Sequence, residues 1–349
     1  MLLAALFEGF CLLFIIEKIY FKSKQSVRLI LEIYGHLQVA EEIIHSPELN
    51  PALKEIFIEK RNYFNIGNFI PDFQYLIVRL SIFLVIKNIL FGFQSYRRVT
   101  KKTNLEHRKN LDFMVNAFKC VDDSLRYVKK FQSVEKSGLI KNQIALLIGT
   151  VSHFLADRFI HYVIESIQAK MEYESEYHGE IPSHQQIEIS FSYYWLKSKD
   201  KDWYDFSDNV RIPKSKKWWR RLFLVRDETL HSMIQQTELL TIGDSLSGSQ
   251  INMALNNIIS FGKHIRSFSV YRKIKDGDYI FDFDILKDSF YKKDNLIKEM
   301  EKKVLPRIVS ILNTLYDYLV TDMPYFEKIE KIRLELKDID ANKPEFYDF

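Results

Sequence analysis

At 349 residues the chain is long enough for one large core or two modest domains, since domains usually run to about 100–200 residues. Its 47% apolar and 14% aromatic content, with only 11 Gly and 8 Pro, excludes a disordered or fibrous chain. Fifty basic against 46 acidic side chains leave a net charge of +4, too small to point to nucleic acid on electrostatics alone.

In chain order, the first segment is MLLAALFEGFCLLFII, apolar apart from Glu8 and followed by Lys18, Lys22 and Lys24. It lacks the basic start and small-residue cleavage site of a signal peptide, and its mid-span acid argues against a spanning helix. A hydrophobic helix within residues 1–24, packed in the core or lying on a membrane, is the expectation, ahead of an anchor or a signal sequence. A membrane-associated or cytoplasmic location is accordingly expected over secretion. Cys11 and Cys120 cannot form a disulfide framework and read as small hydrophobes in apolar helical segments.

Apolar residues then recur at three- and four-residue spacing, as in Leu111, Val115, Phe118, Val121 and Leu125, or Val304, Ile308, Ile311 and Leu315. The spacing predicts helices near 25–46, 75–93, 106–131, 139–172, 184–198, 226–240, 248–266 and 287–320. Within 73–93, Arg79 and Lys87 interrupt the apolar run, which favours a core or interfacial helix over a spanning one. Breaks rich in Pro, Gly or charge fall at 62–72, 173–183, 199–217 and 268–280. Alternation is scarce, with YIFDFDIL at 279–286 the candidate extended piece. The expected fold class is therefore all-α. Residues 25–320 read as a single helical domain and 321–349 as a polar C-terminal tail.

Chemistry concentrates in GTVSHFLADRFIHY, residues 149–162, where His153, Asp157 and His161 fall at i, i+4 and i+8 and share one helix face. Zinc takes imidazole nitrogen and carboxylate oxygen, so ligands a turn apart can meet at one ion or at two ions bridged by the carboxylate. His184 and Glu188 repeat the i, i+4 spacing on a helix whose start is signalled by Ser183. Upstream lie Gly35-His36 in an apolar helix, the turn FNIGNFIPDF with Asp72 after Pro71, and His107 near a helix start. His45, His178, His231 and His264 lack such company and read as structural.

In this order the elements resemble the zinc-dependent phospholipase C family. Its members carry an N-terminal histidine, a Gly-x-x-x-Pro-Asp turn, an isolated histidine, a His-x-x-x-Asp helix running on to another histidine, and then His-x-x-x-Glu. The resemblance spans residues 35–188 and implies a helical fold. It implies one zinc held by Asp72, His107, His153 and Asp157, and a second held by His161, His184 and Glu188. A third, on His36 and Asp157, would in the family also use the amine of an N-terminal tryptophan, and no tryptophan precedes Trp195 here.

Two or three zinc ions are thus expected, with Asp72 as the candidate for orienting or deprotonating the attacking water. The reaction expected from the resemblance is hydrolysis of a phosphodiester by metal-activated water, phospholipase C-like, on a phospholipid or other phosphodiester. Two alternatives stand beside it. One is a hydrolase of the single-strand nuclease or nucleotidase kind, since such nucleases share the family's fold, although no specific nucleic-acid partner is evident. The other is a non-catalytic, metal-stabilised module associated with membranes. A membrane surface is a candidate partner because KSKKWWRRLF at 214–223 sets Lys216, Lys217, Arg220 and Arg221 around Trp218 and Trp219. That stretch reads as either a solvated loop or an interfacial patch.

Overall fold

The computed structural model of the chain describes residues 24–70, 134–173, 181–201 and 280–340, together with Val115, Phe118, Lys119, Asp122 and Asp123. No strand occurs among the described residues, and the fold is all-α. Eight α-helices are described: α1 (Lys24–His45), α2 (Pro51–Glu59), α3 (Arg61–Gly67), α4 (Val134–Tyr173), α5 (His184–Ser198), α6 (Lys293–Glu299), α7 (Leu305–Val320) and α8 (Tyr325–Asp340).

The centre of the assembly is α4, which touches α1, α2, α3, α5, α7 and α8. Its 40 residues give a length of about 60 Å. The stretch Ile140–Glu172 is long and apolar enough to cross a bilayer, yet 83% of its most apolar window is buried inside the protein. Its apolar surface is spent on neighbouring helices.

Local signals explain the elements that bring the polar cluster together. Pro47, two residues beyond α1, cannot continue a helix. Asn50 caps α2 by accepting from the Ala52 and Leu53 amides, with Pro51 at the first helical position. The Asn50 amide in turn donates to Asn313 Oδ1 at 2.9 Å, and Asn313 Nδ2 donates to the Glu48 carbonyl at 2.8 Å, fastening this turn to α7. Ser183 caps α5 by accepting from the Gln186 amide. Just before it, Gln168 Nε2 on α4 donates to the Pro182 carbonyl at 3.0 Å. The first turn of α5 is thereby tied to α4.

Helices α3 and α4 cross where neither carries a side chain. A Cβ on Gly67 would lie 3.0 Å from the Gly149 Cα and closer still to the Leu146 carbonyl, and one on Gly149 would press on the Phe64 carbonyl. Gly35 does the same for α1 against α5, where a Cβ would collide with the Ser192 hydroxyl. At Gly67 and Gly149 glycine permits backbones to approach that any other residue would hold apart, while at Gly35 it leaves room for the Ser192 side chain.

Several expectations are corrected. The break expected at 62–72 overlaps the helix Arg61–Gly67, and the nine-residue helix before it is an addition to the expected elements. The extended piece at 279–286 is instead a 3-10 turn at Phe283–Ile285. The single helix expected over 287–320 is divided into a 3-10 turn at Ser289–Tyr291, α6, a π-turn at Met300–Val304 and α7. Pro306 accounts for the π-turn, because its ring has no N–H and crowds the preceding turn, which widens to relieve the clash. Part of the polar tail is α8, with Ile329, Ile332 and Leu336 buried. Lys328 is buried with them, its ammonium 2.9 Å from Asp122 Oδ1 and 3.3 Å from the Leu319 carbonyl.

Candidate metal centre

Three side chains from two helices converge beside α4. His36 of α1 places Nε2 3.1 Å from Asp157 Oδ1, and His153 of α4 places Nε2 3.1 Å from Asp157 Oδ2. The two imidazoles stack with centroids 3.9 Å apart at 29°. Both histidines are buried, at 2% and 1% exposure, while the Asp157 side chain keeps 22%. One carboxylate therefore presents each of its oxygens to a different imidazole at the edge of the core.

Electrostatics at Asp157 follow from this geometry. Burial opposes its charge, but the His153 and His36 rings, by charge and by hydrogen bonding, more than offset that penalty and hold the carboxyl well below the usual carboxylate range.

The orientation of His153 is fixed from behind. Its Nδ1–H donates to the Asn68 carbonyl at 2.9 Å. Asn68 follows the last residue of α3 and is itself fully buried, its Nδ2 donating to the Phe64 carbonyl at 3.0 Å. Its Oδ1 lies 2.6 Å from the Ser152 hydroxyl, which is also 2.8 Å from the Gly149 carbonyl. The glycine crossing of α3 and α4 is what lets Asn68 reach this position.

These donors suit zinc. Imidazole nitrogens and a carboxylate oxygen each bind zinc at about 2.0–2.2 Å, so in a tetrahedral site ligand atoms sit roughly 3.4 Å apart. The observed 3.1 Å separations fall close to that figure. His36, His153 and Asp157 offer ligand atoms all within 4.8 Å of one another.

Eight residues after His153 in α4, a rise of about 12 Å, His161 forms part of a second group. Its ring meets that of His184 edge to face at 4.8 Å. His184 Nε2 lies 3.8 Å from Glu188 Oε2, too long for a hydrogen bond but of the order of the spacing between two ligands of one ion. Glu188 is 6% exposed, an ionisable group deep enough to need compensation.

Of the residues proposed from spacing, His36, His153 and Asp157 converge as a group whose atoms could hold one metal ion, while farther along α4 His161 meets His184, which faces Glu188. Asp72 and His107 lie outside the described residues, as do Lys216, Lys217, Trp218, Trp219, Arg220 and Arg221. Sequence reasoning did not single out Asn68 or Ser152. The available signal was the pairing of small residues, Gly149, Thr150 and Ser152 in one segment with Gly67-Asn68 in the other.

No curated protein and no solved structure matches the chain. The family described as zinc dependent phospholipase C matches over residues 35–230, a span that takes in both histidine-carboxylate groups and the Asp72 turn. Since that match runs over more than half of the sequence, the chain belongs to the zinc-dependent phospholipase C family.

Proposed function

We propose that the protein hydrolyses a phosphodiester bond, with a phospholipid as substrate, at a site built on Asp157 and its surrounding histidines. The observation that carries the reading is the Asp157 carboxylate with its two oxygens on two buried imidazoles, in a chain of a family described by zinc and phospholipase C. Zinc, when bound, supplies positive charge that offsets the phosphate oxygens and lowers the pKa of a water toward about 7. The chain's own residues do the rest. His153, locked by the Asn68 carbonyl, keeps Nε2 directed at the site, and Asp157 bridges it to His36. His161, His184 and Glu188 form the proposed second ligand set, and His107 with Asp72 would complete the first. Asp72 is the proposed base, a carboxylate suited to orient or deprotonate the attacking water.

The experiment is elemental analysis of protein from zinc-replete cells, paired with hydrolysis assays on phosphatidylcholine and on single-stranded DNA. About two zinc ions or more per chain are expected, with turnover of the lipid. Because zinc binds the folded state alone, chelation should also lower the Tm. Trace metal only would remove the zinc reading. Zinc with cleavage of DNA and not of lipid would move the substrate to nucleic acid, and zinc with neither activity would leave a metal-stabilised binding module.

A further inference from the structure

We propose that Asn68 is a positioning residue that sets the tautomer and aim of His153, and that Ser152 holds Asn68 in place for this. The proposal rests on the zinc reading above for its consequence, though not for its geometry. A backbone carbonyl has no hydrogen to give, so the 2.9 Å contact between His153 Nδ1 and the Asn68 carbonyl requires the proton on Nδ1. Nε2 is then the ring nitrogen turned to the site, where it faces the Asp157 carboxylate at 3.1 Å. Any residue at 68 has a carbonyl, so what distinguishes asparagine is its side chain. With no exposure at all, it donates backward to the Phe64 carbonyl at 3.0 Å and faces the Ser152 hydroxyl at 2.6 Å. Ser152 directly precedes His153 on α4. The result is a closed loop of contacts: side chain of 68 to side chain of 152, chain step from 152 to 153, and ring of 153 back to the backbone of 68.

His36 offers an internal contrast. Its Nδ1 is buried and has no hydrogen-bond partner among the described residues, so none of them fixes its ring from behind. Of the two imidazoles on Asp157, His153 is the one held from behind by a described residue. Outer hydrogen bonds of this kind typically change metal affinity by about 10–100-fold when removed.

The test compares Asn68→Ala and Ser152→Ala with Thr150→Val. Thr150 sits in the same helix crossing, its hydroxyl 2.9 Å from the Leu146 carbonyl and 3.3 Å from that of Gly67, with no part in the loop. Two readouts are used: nitrogen-15 NMR of the His153 ring in metal-free protein, and zinc affinity by competition with a chromophoric chelator. Wild type should show His153 Nδ1 protonated and hydrogen-bonded, its N–H in slow exchange with water. In Asn68→Ala and Ser152→Ala that Nδ1–H signature should weaken or exchange fast, and zinc affinity should fall by about 10–100-fold. Thr150→Val should keep both to within about threefold while losing some stability.

Should Asn68→Ala fail to fold, Ser152→Ala decides by the same measures. An unchanged Nδ1–H signature and affinity in Ser152→Ala, or an equal loss in Thr150→Val, would overturn the proposal. Wild-type protein without zinc affinity would instead strike the zinc reading, leaving the metal-free Nδ1–H signature to judge Asn68 by itself.

Discussion

At the scale of single residues, Asp157 concentrates the consequences. In metal-free protein its carboxyl is held below its ordinary range by two imidazoles, despite burial. A depressed folded pKa means the unfolded chain binds the extra proton first. The stabilisation is therefore fully present above the unfolded value of about 3.9 and is lost as pH falls through the folded value. The stability gap between metal-free wild type and Asp157→Asn should accordingly narrow below about pH 4, as followed by urea melts across pH. With metal present, Asp157→Asn should also lose zinc and hydrolysis together, since an amide supplies no negative charge. Unchanged zinc content would mark the helix face as ordinary core. The grouping of His153 with Asp157, and of His184 with Glu188, was legible in the sequence because a helix repeats every 3.6 residues, so spacing alone brings such side chains together. Asn68 was not legible, because it acts on His153 through a backbone carbonyl, which no residue type advertises.

At the scale of elements, the α3–α4 crossing governs how closely Asn68 approaches His153. Gly149→Ala would set a methyl group against the Phe64 carbonyl, with the Gly67 Cα 3.0 Å away. Overpacking of this kind typically costs about 1–3 kcal/mol. At Gly138, on the same helix, a methyl group would meet nothing within 4 Å. There Gly→Ala should stabilise by about 0.4–1 kcal/mol, because alanine restricts the unfolded chain and suits a helix. Thermal melts of the two variants give opposite signs on this account, and a like sign would show that the crossing tolerates a side chain. Element boundaries were legible where periodicity ran long: α1 was expected at 25–46 and is Lys24–His45, and α5 was expected and found at 184–198. They were misread where a local signal competed with tertiary packing. Gly67 and Pro71 made Arg61–Gly67 look like a break, though the glycine is what lets that helix pack. In α8 the charged residues hid an apolar stripe of Ile329, Ile332 and Leu336.

At the scale of the whole molecule, the described stretch long and apolar enough to cross a membrane, Ile140–Glu172, is mostly buried inside the protein, and a meeting with an insoluble substrate calls for another surface. We propose residues 214–223 for that role, on sequence grounds, since they lie outside the described residues. Lys214, Lys216, Lys217, Arg220 and Arg221 surround Trp218 and Trp219. Indole rings favour the headgroup level of a bilayer, and each basic side chain near an anionic surface contributes about 1 kcal/mol. Replacing both tryptophans with alanine separates this from a role in the core, where losing one buried Trp costs about 3–5 kcal/mol and a double loss would unfold the protein. The double variant should keep its Tm and its zinc, hydrolyse a short soluble phosphodiester as wild type does, and bind anionic vesicles more weakly in co-sedimentation at low salt. Because the basic residues remain, the residual binding should be salt-sensitive, whereas the contribution lost with the indoles should not be. Equal vesicle binding by both proteins would remove the docking segment while leaving the histidines around Asp157 untouched.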